Sequence, residues 1–75
     1  MDPLLTWQTA CRHLAKGQID EAIWAIEGLI EWLQRNGQRP LEVPSRQTLG
    51  GLAAGLTAVA RALEQEQHQD ESIHG

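Results

Sequence analysis

Cys11 and His13 stand two residues apart, with His68 and His74 far downstream. Thiolate and imidazole are the usual zinc ligands, but a zinc site draws on three or four of them preorganised at short spacing. On a helix, Cys11 falls with the apolar stripe while His13 points sideways, so the two do not converge on one ion. Cys11 therefore reads as a small buried hydrophobe. His68 and His74 read as tail residues or weak adventitious metal binders. Glu27 and Glu31 lie one helical turn apart, with Arg35 one turn further. Paired carboxylates can do acid–base work in a cleft that perturbs them, and so short a helical chain has little room for one. Glu31 followed by Arg35 is also the favourable i to i+4 order for a surface ion pair. The expectation is no catalytic residue, no metal site and no cofactor.

Trp24 is different. At about 100° per residue it falls opposite the apolar side of its helix, among Glu21, Glu27, Gly28 and Glu31. Tryptophans on such faces are enriched at interface hot spots. Two readings stand: a partner protein covers Trp24, or the loop or third helix of the same chain does. The first makes Trp24, Glu27, Glu31 and Arg35 a partner-binding surface. Arg35, Arg39 and Arg46 gather around the proline strap and read first as isolated surface arginines, the alternative being a contact for an acidic surface or a phosphate. Neither possible recognition helix carries an outward row of Arg, Lys, Asn or Gln, so no nucleic-acid partner is expected.

Three helices must position these residues. Asp2 and Pro3 open the first as N-cap and first-turn residue. Leu4, Trp7, Cys11 and Leu14, with Ala10, line its apolar face to about Lys16. Gly17 is the stop, and so short a connection forces an antiparallel hairpin. The second helix spans about Ile19 or Asp20 to Asn36, with Ile19, Ile23, Ile26, Ile30 and Leu33 as an unbroken seam. Gly37 to Pro44 follows as a strap whose prolines forbid helix. Leu41 and Val43, two apart, are expected to press one side of it onto the bundle. The third helix follows Ser45 as N-cap and fades near Gln67.

That last helix writes two stripes. Leu49, Leu52, Leu56 and Leu63, with Val59 and Ala60, form a core-facing ridge. Gly51, Gly55, Ala58 and Ala62 recur at spacing four, three, four on the other side. Glycine inside a helix costs about 1 kcal/mol relative to alanine, while a smooth face suits close approach by another helix. The expectation is a homodimer interface there, the rival being that the helix is central in its own bundle. The fold class is all-α, with an N-terminal antiparallel hairpin and a third helix after a proline-containing strap. Residues 1–67 form one domain and 68–75 a flexible acidic tail.

Seventy-five residues make one small core, for which dimerisation is a common remedy. An apolar fraction of 41% argues against wholesale disorder. A single cysteine gives no intramolecular disulfide, and the net charge of −4 disfavours nonspecific nucleic-acid binding. Arg46, Arg61 and Glu64 bracket too short an apolar span for a membrane helix, and no signal peptide is visible, so a cytoplasmic location is expected.

The stretch from Ala10 to Ile30 contains A-x-x-x-L-A-x-G-x-x-D-E-A-I, with Gly17 at the turn and Glu21-Ala22 on the incoming helix. It resembles the helix-turn-helix of a tetratricopeptide-type repeat over about a third of the chain, in a single copy. The resemblance implies a protein-binding scaffold. Together these features describe a small non-enzymatic regulator or inhibitor that occupies a surface of a larger protein. Analogy suggests an accessory protein of a bacterial virus or mobile element. A structural subunit of a larger assembly, and a metal-dependent sensor using Cys11 and His13, are the alternatives.

Overall fold

The computed structural model describes the backbone of residues 1–74 and the side chains of residues 1–66. Three helices, α1 (Pro3–Ala15), α2 (Ile19–Asn36) and α3 (Arg46–His74), make up the architecture, and the described residues contain no strand. Local chemistry sets the helix ends. The Leu5 N–H donates to Asp2 Oδ1 at 3.1 Å, so Asp2 is the N-cap with Pro3 just inside the helix. Gly17 and Gly37 take positive φ, 74° and 71°, the left-handed backbone that glycine adopts without steric penalty. At Gly37 the N–H closes α2 on the Leu33 carbonyl. Ser45 Oγ accepts the Thr48 N–H at 3.2 Å and starts α3.

α2 is the central element. α1 packs on one flank of it and α3 on the other, and the α1 and α3 backbones do not approach each other. Ile19, at the start of α2, lines a cleft with Ala60 and Leu63, so α3 runs antiparallel to α2. The core is built from Ala10, Ile26, Leu29, Leu33, Val43 and Leu49, with Leu4, Trp7, Ile30, Trp32, Leu52 and Leu56 packed around it. Ala10 and Ala22 are both fully buried. Small side chains there let the hairpin helices sit close together.

Several expectations change. Cys11 is exposed, and Ala10 takes the buried place on α1. The face of α1 that meets α2 is centred on Ala10, because an alanine permits the closest approach, and this turns Cys11 outward. Leu41 is 94% exposed while Val43 is 1% exposed. The strap is a turn here, with the Val43 N–H donating to the Pro40 carbonyl at 3.1 Å, so residues two apart do not share a side. Ile30 is half-buried, and Val59 and Leu63 are about half exposed. α3 continues as helix to His74, past the Gln67 at which its pattern fades. The side chains of the acidic tail, His68 and His74 included, lie outside the described residues.

Candidate functional site

The core-facing stripe of α2, Ala22, Ile23, Ile26, Leu29 and Leu33, is buried. Its helical complement is Asp20, Glu21, Trp24, Glu27, Glu31 and Arg35, all exposed. Trp24 keeps 67% of its surface accessible. Neither intramolecular cover expected for it is in place. The strap stays at the C-terminal end of α2, where Gln38, Arg39 and Pro40 line a cleft with Pro3 and Trp32, and Val43 enters the core. α3 passes the first turn of α2, where Ile19, Asp20 and Glu21 line a cleft with Ala60, Leu63 and Glu64, and it leaves Trp24 exposed. Trp7 and Trp32 are half-buried, so Trp24 is the one indole displayed to solvent.

Its surroundings are apolar on one edge and acidic on the others. The Met1 side chain lies beside Gly28, one turn after Trp24: a Cβ there would meet the Met1 methyl at 3.8 Å, an ordinary van der Waals contact. Met1 is itself exposed, so its thioether stays open to solvent beside Gly28, one turn along α2 from Trp24. Glu27 stands three residues beyond Trp24, and Asp20 and Glu21 stand four and three before it. Arg35 Nη2 donates to Glu31 Oε1 at 2.7 Å. An exposed pair of this kind adds only about 0.3–0.5 kcal/mol, so both side chains remain available to a partner. The four residues Trp24, Glu27, Glu31 and Arg35 thus lie on one exposed face of one helix.

The Gly51, Gly55, Ala58, Ala62 stripe is also exposed. A Cβ built at Gly51 or Gly55 meets nothing within 4 Å, so none of the described residues covers the face at these two positions. α3 is a flanking helix, which removes the reading that makes it central in its own bundle.

The remaining groups do not converge. His13 Nδ1 lies 2.7 Å from Gln18 Oε1, a contact that ties the end of α1 to the residue before α2. Among the described residues, no three of His, Cys, Asp and Glu gather as metal ligands would. The basic group is divided as well: Arg35 binds Glu31, and Arg39 Nη1 donates to the Val43 carbonyl at 2.6 Å, which braces the strap. Arg46 borders a cleft with Leu33, Gln34, Gly37, Arg39 and Ser45. No helix among the described residues is long and apolar enough to cross a membrane. Comparison with protein-family models, curated proteins and solved structures finds no match to this chain.

Two features escape the sequence pattern. Leu29 is fully buried although it stands outside the isoleucine seam, because helices on two sides of α2 widen its buried arc beyond that seam. The approach of Met1 to Gly28 has no sequence signal, since a Cβ at this position would still sit at ordinary contact distance.

Proposed function

We propose that this chain is a small non-enzymatic regulator or inhibitor, acting in the cytoplasm, that binds a larger protein through Trp24, Glu27, Glu31 and Arg35. The observation that carries the reading is the 67% exposure of Trp24 on a face otherwise made of charged residues. Leaving so much indole in water forgoes its burial, and partner binding recovers it. The open Gly51, Gly55, Ala58, Ala62 face supports self-association as a symmetric dimer in addition. A dimer would present two Trp24 surfaces and gain avidity on a two-fold target.

The test pairs binding with stability. Affinity capture from the native host identifies the partner, and titration then compares wild type with Trp24→Ala. The expected loss is at least about 2 kcal/mol of binding, with the melting temperature nearly unchanged. A variant that unfolds, with binding lost only in proportion, makes Trp24 a packing residue and ends this assignment.

A further inference from the structure

We infer that the occupant of the Trp24 face is a basic segment of another protein, with an arginine or lysine seated on the indole between the carboxylates of α2. This rests on reading that face as a contact surface and adds the chemistry of what it contacts.

The argument is one of unmatched charge. Residues three and four apart on a helix are surface neighbours, so Asp20, Glu21 and Glu27 all border Trp24. All three are exposed. Among the described residues the one salt bridge joins Arg35 to Glu31, so none of the three has a cationic partner. Asp20 and Glu21 sit in the first turn of α2, where the helix dipole favours negative charge. Glu27 has no such compensation. It lies in mid-helix, one turn before Glu31, a like-charge spacing that is mildly unfavourable.

Onto this ring the indole adds the negative face of its π system, which attracts cations most strongly of the aromatic side chains. The Met1 thioether beside Gly28 supplies an apolar ledge for the aliphatic stem of a long basic side chain. An apolar or acidic partner would have to bury Glu27 without a counter-charge, which is costly. A basic one supplies the missing charge and covers the indole in the same contact.

The probe is a library of random dodecapeptides displayed on phage and selected on the intact protein at low salt. The selected peptides are expected to be enriched in Arg and Lys. Their affinity should fall at least about thirtyfold for Trp24→Ala, fall severalfold for Glu27→Gln, and weaken as salt is raised. Peptides that need Trp24 but carry no net positive charge would overturn the basic partner and leave the contact surface standing. If every selected peptide binds Trp24→Ala as well as wild type, while that variant melts normally, the contact surface falls with it. Wild type whose own association depends on Trp24 would identify a second copy as the occupant and overturn the proposal too.

Discussion

Replacing Gly55 with leucine tests whether the smooth face of α3 exists for association. In the single chain Gly55 is exposed, and a Cβ built there meets nothing within 4 Å, so the added isobutyl group has open space. The folded monomer should then gain helix propensity, about 0.8–1 kcal/mol for replacing glycine in a helix interior. For a domain of this size about 1 kcal/mol raises the melting temperature by about 4–8 °C. In a dimer that packs Gly51, Gly55, Ala58 and Ala62 against a second helix the sign reverses, because overpacking costs about 1–3 kcal/mol. Helical circular dichroism melts at high dilution report the monomer, and light scattering across a concentration series reports assembly. The expected result is a variant that melts higher when dilute and fails to dimerise when concentrated. Wild type that stays monomeric at high concentration would remove the dimer, and Gly55→Leu melting lower when dilute would refute the open-face argument itself.

Three further outcomes follow from the packing. Ile26 is fully buried at the centre of the core, so Ile26→Ala should cost about 2–5 kcal/mol, enough to unfold much of a small domain in a thermal melt; tolerance of Ile26→Asp would show the core to be elsewhere. Val43→Ala should lower stability by about 1–3 kcal/mol, whereas Leu41→Ala should stay within about 0.5 kcal/mol, and equal effects in urea denaturation would contradict the turn that separates them. Cys11 is exposed, so a thiol-specific reagent should label the native protein about as fast as the urea-unfolded chain, and protection in the native state would place the thiol inside.

The helix boundaries, the C-terminal end of α3 excepted, were legible from residue types, since caps are local chemistry. Asp2 with Pro3, the glycines at 17 and 37, and Ser45 each satisfy or release backbone groups within a few residues of themselves. Helix existence and the burial of Ile23, Ile26 and Leu33 follow equally from period alone. The placement of Trp24, Glu27, Glu31 and Arg35 on one side of α2 was also readable, because a regular helix sets its own angular positions.

Rotation and neighbours were not. Period shows that α1 has an apolar side, but an approach centred on Ala10 instead of Cys11 depends on how closely two backbones can meet. Burial of Leu29 follows from α2 being packed on two sides, and exposure of Leu41 from a turn closed by the Pro40 carbonyl. Whether Trp24 is covered by its own chain depends on where the strap and α3 lie. The sequence could only offer both outcomes. Tertiary structure decides between them because α3 passes the first turn of α2 without covering Trp24 and the strap stays beside Trp32, so the outer side of α2 keeps its indole in solvent.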